Sequence, residues 1–189
     1  MSSLHIDAGN YTGADTLSRT LASHATLSTW CRGYPMDLMV ADARPFFEAL
    51  VSRPPARFRC VLCKRFMLAL GSRIVRDHRF SALITGDSLG QVASQTLPNL
   101  ATISEAATVP LIRPLIAFDK NETVAIAKKI GVFTPEPSDL ACRAVPRMPA
   151  TAARVQDIRE AEKQLGTDEL LENVLGQVTV KTALNGKIQ

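Results

Sequence analysis

Apolar residues in this chain gather in short dense runs, separated by longer stretches of helical period. Leu4-His5-Ile6-Asp7-Ala8 reads as a short strand closing on Gly9-Asn10. A helix is predicted over 15–30, with Leu17, Leu21 and Leu27 on one side and Gly33 past its end. Leu38-Met39-Val40-Ala41 suits a buried strand, and a short helix over 45–51 stops ahead of Pro54-Pro55. From Cys60 onward, Leu62, Phe66, Leu70 and Ile74 repeat at four-residue spacing on one helical face. Ala82-Leu83-Ile84-Thr85 is a second buried-strand candidate, ending at Gly86-Asp87. A helix over 95–106 leads to a strand at Val109-Pro110-Leu111-Ile112. Asp119 and Glu122 have the spacing of a capping box for a helix that runs to Ile130 and stops at Gly131. Pro135, Pro137, Pro146 and Pro149 predict an irregular loop over 134–149 that holds Cys142. Helices over 150–165 and, more weakly, 168–175 follow, with a strand at 178–180.

Strands alternating with helices predict an α/β fold, a doubly wound parallel sheet with helices on both faces, because parallel neighbours need crossover helices. Ligands in such sheets sit beyond the carboxyl ends of the strands. Those ends are the turns at 7–10, 42–44, 86–95 and 113–114.

Composition changes this picture little. The 189 residues are 46% hydrophobic and 21% charged, which excludes wholesale disorder, a collagen-like chain or a coiled coil. No apolar run approaches a membrane span and the first residues lack the pattern of a signal peptide, so a cytoplasmic location is expected. Charge changes it more. Residues 57–80 carry Arg57, Arg59, Lys64, Arg65, Arg73, Arg76 and Arg79 against Asp77 alone, and 143–154 carry Arg143, Arg147 and Arg154 with no acid. Each segment alone reads as a solvated face; together, each beside an unusual cysteine, they favour a polyanion such as RNA.

The candidate chemistry lies in two places. Cys60 and Cys63 form C-x-x-C at a helix start, where the terminus and Lys64 and Arg65 favour thiolates, while Cys31 and Cys142 stand alone. Three thiols suit an iron–sulfur cluster or a redox relay; a buried structural pair is the plainer reading. Gly86-Asp87-Ser88-Leu89-Gly90-Gln91 lets backbone N–H groups approach a ligand, with Ser88, Gln91 and Gln95 as donors, though an ordinary turn explains the same residues. Walker and Rossmann phosphate loops and H-E-x-x-H are absent, and His5, His24 and His78 are scattered, as ordinary core or surface histidines would be.

Residues 83–97, Leu-Ile-Thr-Gly-Asp-Ser-Leu-Gly-Gln-Val-Ala-Ser-Gln-Thr-Leu, resemble the signature of the tRNA 4-thiouridine synthases, the thiamine-biosynthesis sulfurtransferase family. Leu111-Ile112-Arg113-Pro114-Leu115-Ile116, Asp119-Lys120, the helix 126–131, Cys-x-x-Cys-Lys-Arg-Phe-Met and Cys142 ahead of Pro149-Ala150-Thr151 match it in order, over about 4–165. The resemblance implies an adenine-nucleotide α-hydrolase (PP-loop ATP pyrophosphatase) domain over 1–165, with 166–189 an extension that matches nothing recognised. It implies an enzyme that adenylates a uridine carbonyl oxygen of tRNA with ATP and Mg2+, after which persulfide or sulfide sulfur displaces AMP. Nucleotide contacts fall on Lys64, Gly86 and Gln95, with Asp7 and Ala8 nearby. Sulfur handling falls on Cys142 and an iron–sulfur cluster on Cys60, Cys63 and Cys142, while the basic charge around these thiols puts the expected RNA contacts on Arg65, Arg143, Arg147 and Arg154.

The family's S-G-G-x-D-S loop does not occur in the sequence, which opens at what would be the family's second strand. The expectation is a fragment or split form needing a PP-loop and RNA-binding portion, or self-association to cover the apolar surface so exposed. Two other readings are a non-catalytic iron–sulfur or RNA-binding module on a degenerate nucleotide fold, and a loop-less relative moving sulfur toward thiazole synthesis.

Overall fold

The computed structural model describes residues 1–13, 15–134 and 142–189. Its first half runs β1 (Ser3–Asp7), α1 (Thr16–Ser28), β2 (Met36–Asp42), α2 (Arg44–Ser52), α3 (Arg59–Asp77) and β3 (Leu83–Ile84). Its second half adds α4 (Leu97–Ser104), β4 (Leu111–Ile112), α5 (Lys120–Lys129), α6 (Val155–Leu165), α7 (Thr167–Leu175), β5 (Thr179–Leu184) and β6 (Lys187–Ile188). Pro135 and Pro137 of the expected loop lie outside the described residues. No helix among the described residues is long and apolar enough to cross a membrane.

The chain divides into two compact units. The first comprises Met1–Pro45, Asn121–Arg143 and Asn173–Gln189 and holds a four-stranded sheet in the order β1-β2-β5-β6. β1 and β2 pair in parallel, Ser3 with Leu38 through Asp7 with Asp42, as the α1 crossover requires. β2 is central, and Met36, Leu38, Met39, Val40 and Ala41 are all buried, which is why it reads as an unbroken apolar run. His5 and His24 are core residues here, His24 Nε2 lying 2.9 Å from the Met36 carbonyl. β5 joins antiparallel to β2, so the sheet is mixed, and the strand is longer than the sequence pattern predicts. Only Ala183 of its six residues is buried, so its apolar signal is faint, and pairing with β2 is what extends it.

The second unit comprises Phe46–Lys120 and Ala144–Glu172 and is organised around α3. The predicted stripe of Leu62, Phe66, Leu70 and Ile74 is buried, and the Phe66 ring stacks on Phe46 with centroids 3.8 Å apart. Gly71 makes room for the parallel pair β3 and β4, since a Cβ there would meet Leu83 Cδ2 at 2.8 Å. α6 starts at Val155, not at residue 150, because 150–153 are held in an irregular, bent path and Arg154 is extended. The fully buried Asn99 donates to the carbonyls of Ala93 (2.7 Å) and Ala150 (2.8 Å) and accepts from Ala153 N at 2.9 Å. Thr102 Oγ1 donates to the Ala153 carbonyl at 2.8 Å, and Thr96 Oγ1 to that of Thr151 at 2.6 Å. Backbone groups tied this way are unavailable to a helix.

Candidate functional site

Parallel pairing of Leu83 with Leu111 and Ile84 with Ile112 brings the carboxyl ends of β3 and β4 side by side. Asp87 and Arg113 therefore meet: Arg113 Nε lies 3.2 Å from Asp87 Oδ2. Lys64, reaching from α3, puts Nζ 2.8 Å from Oδ1, and Thr85 Oγ1 donates to Oδ2 at 2.8 Å. Asp87 is 3% exposed. Burial pushes its pKa up, but the hydrogen bond and charge of Lys64, then Thr85 and Arg113, outweigh it and hold the carboxyl at about 2. One carboxylate between two cations leaves a net positive charge at the end of a parallel strand pair. That is a seat for an anion.

Gly86 leaves this seat open, since a Cβ there would meet nothing within 4 Å. Gln95 does a different job from the ligand donor expected. It is buried, and its amide, oriented to satisfy both ends, donates to the Ser88 carbonyl at 2.9 Å and accepts from Ser88 N at 3.3 Å. It braces the loop from inside while Ser88 Oγ donates to the Phe118 carbonyl at 2.7 Å. The sequence placed Asp87 and Arg113 at strand-end turns where a ligand is expected, but gave neither a role; the parallel pairing that sets those ends side by side supplies it.

Cys60 and Cys63 lie in the first turns of α3, half-buried, with Lys64 one turn after Cys60. Cys142 belongs to the first unit, next to Arg143, whose N–H donates to the Tyr11 carbonyl at 2.8 Å. None of the four cysteines is in a disulfide. Among the described residues no three His, Cys, Asp or Glu side chains form a group able to hold a metal ion.

In the first unit the parallel ends of β1 and β2 place Asp7 beside Asp42. Asp7 Oδ1 accepts from Gly9 N at 2.8 Å, and buried Ala8 closes the strand. Arg44 grips Asp42, its Nε 2.8 Å from Oδ1, and this hydrogen bond is the main cause of the lowered Asp42 pKa.

The basic residues separate sharply. Arg65, expected at the RNA, is 5% exposed and faces inward. Its Nε and NH2 hold Glu162 at 2.6 and 3.0 Å, while NH1 reaches Glu105 (3.0 Å) and the Thr102 carbonyl (2.5 Å). A guanidinium with every edge engaged inside the fold offers nothing to a phosphate, so the assignment of Arg65 to RNA is withdrawn. Arg143, Arg147 and Arg154 are exposed, Arg154 paired with Asp157.

A family model described as thiamine biosynthesis protein (ThiI) matches residues 1–167. The chain belongs to the ThiI family. It is 43% identical to the probable tRNA sulfurtransferase of Thermus thermophilus over 144 residues, which is 73% of this chain and 36% of that protein. Identity to the Methanobrevibacter smithii probable tRNA sulfurtransferase is 31% over 176 residues, covering 93% of this chain and 46% of the relative. A 4-thiouridine synthetase solved as an RNA complex with bound ATP superposes with a TM-score of 0.89 at 27% identity, over 96% of this chain and 48% of that one. The expected α/β fold, a doubly wound sheet with helices on both faces, is thus shared with a 4-thiouridine synthetase. The chain spans less than half the length of these three proteins.

Proposed function

We propose that this chain supplies the nucleotide-handling and sulfur-handling part of a tRNA sulfurtransferase that makes 4-thiouridine from tRNA and ATP. The observation that carries this is the buried Asp87 gripped by Lys64 and Arg113 beside the unobstructed Gly86. A phosphate approaching Gly86 meets backbone and positive charge with no side chain in the way. In the reaction the uridine carbonyl oxygen attacks the α-phosphorus, pyrophosphate leaves, and sulfur then displaces AMP. Cys142, a thiol of the first unit, is the persulfide carrier in this reading: it takes its outer sulfur by exchange from an external persulfide, which leaves as a thiol, and after that sulfur displaces AMP an external thiol reduces the resulting mixed disulfide to release the thiouridine. Sulfur borne there would equally serve the thiazole of thiamine, in keeping with the family's description. Mg2+ enters with the phosphates, since magnesium is usually held by substrate phosphates and one or two carboxylates. On this reading the chain acts in the cytoplasm.

The 189 residues contain no S-G-G-x-D-S, so ATP affinity of this chain by itself is expected to be weaker than micromolar by calorimetry. Supplying a strand and loop with that motif should restore binding, and Lys64→Ala should then weaken it about 10- to 100-fold, the worth of a charge-assisted contact. Equal affinity in Lys64→Ala and the parent would refute the nucleotide assignment.

RNA contact by exposed Arg143 and Arg147 predicts a second result. Replacing both with Ala should weaken binding of an unmodified tRNA transcript and flatten its log–log salt slope by about 1.8, at about 0.9 per duplex phosphate contact. Thermal stability should not change. A parallel slope would show these arginines to be a solvated face.

A further inference from the structure

Within the second unit, the bent segment 149–152 forms one wall of an open groove of about 530 Å³. Arg57 and Phe58 face it from the 3-10 turn just ahead of α3, and Met148, Thr151, Arg154 and Asp157 line the rest. The Arg57 guanidinium carbon lies over the Phe58 ring, 4.6 Å from its centroid. Phe58 is buried while Arg57 is exposed, so the ring holds the guanidinium as a plate with its outer face free. The wall opposite is rigid: Ala150 N donates to the Arg57 carbonyl at 2.9 Å, and Asn99 and Thr96 fix the segment from inside. Met148 is 83% exposed, an apolar side chain left in solvent at the groove edge.

A flat cation, an exposed thioether and a second arginine fit one ligand chemistry: a planar base attached to a phosphate. We propose that this groove seats one unpaired nucleotide of the RNA, its base stacked on the Arg57 guanidinium and its phosphate at Arg154. Unpaired bases are commonly stacked on arginine planes in RNA recognition. The assignment rests on the tRNA reading above and adds to it a seat that Arg143 and Arg147 do not form. Arg154 in the free protein is occupied by Asp157, with Nε and NH2 on the two carboxylate oxygens at 3.0 and 2.9 Å. Asp157 is therefore a competitor for the phosphate, and its removal has a sign opposite to that of any structural damage.

The test uses the full chain, a labelled unmodified tRNA transcript and fluorescence anisotropy, with melting curves for each variant. Arg57→Ala should weaken binding roughly tenfold, the worth of one stacked base. Arg57→Lys keeps the charge but not the plate, so it should keep the salt slope yet lose most of the affinity. Asp157→Asn should tighten binding several-fold. Unchanged affinity in Arg57→Ala, full affinity in Arg57→Lys, or no tightening in Asp157→Asn each overturns the seat. Should the Arg143/Arg147 double variant weaken binding while the groove variants do not, the groove falls and the tRNA reading stands. No tRNA binding by the parent chain removes both. Polyglutamate binding that depends on Arg57 while tRNA binding does not would identify an acidic protein partner instead.

Discussion

Arg65→Met is expected to destabilise the second unit by about 3–5 kcal/mol, the usual cost of removing one member of a buried ion pair. The cause is what the arginine leaves behind. Glu162 loses a two-point partner and the Thr102 carbonyl loses its donor, while Glu105 keeps Arg159. Burial draws the Arg65 pKa down, but Glu162 and then Glu105 more than reverse this, so the guanidinium stays charged at any working pH. At roughly 2–4 °C per kcal/mol for a chain of this size, the melting point should fall by about 6–20 °C. Arg65→Met with Glu162→Leu should recover most of that loss, because a matched apolar pair avoids the stranded carboxylate. A single variant as stable as the parent would show that the pair does not support the unit. tRNA binding by the double variant should be normal, in contrast to the exposed arginines.

Asp87→Asn should cost about 2 kcal/mol at pH 7, and the cost should shrink in acid. The folded carboxyl titrates at about 2 against an ordinary value of 3.8. A pKa depressed by folding stabilises the folded state above the unfolded value, and that contribution disappears as pH falls through the folded one. About half should be gone by pH 3. Denaturant midpoints of parent and variant at pH 7, 5 and 3 measure this directly. A gap that stays constant with pH would mean that shape, not charge, is what Asp87 contributes. ATP binding in the chain completed by the S-G-G-x-D-S segment should weaken as well, since Lys64 loses its anchor.

Much of the molecule was legible without coordinates. The strand at β2 is a solid apolar run, α3 carries a four-residue stripe, and Gly131 ends α5 at a φ of +80°, where a side chain would be strained. These follow from local rules: period, capping and the freedom of glycine. Gly86 and Lys64 were singled out by the resemblance, and the structure puts them at one seat. Gln95 was named too, and only packing shows that its amide bridges the Ser88 backbone and braces the loop.

Tertiary structure alone decided the rest, because the deciding partners are far apart in sequence. Lys64 and Arg65 are neighbours of equal charge, yet one turns to the anion seat and the other into the core. The difference is Asp87, 23 residues on, against Glu162, 97 residues on. α6 begins late because Asn99 holds residues about 50 positions away, and no periodicity within 150–154 records that. β5 is a strand because β2 lies beside it, not because its own pattern demands one. Local sequence determined which elements form and where glycine and cysteine stand. Burial and long-range ion pairing determined which charges face a ligand, since a charge's surroundings depend on what the chain folds against it.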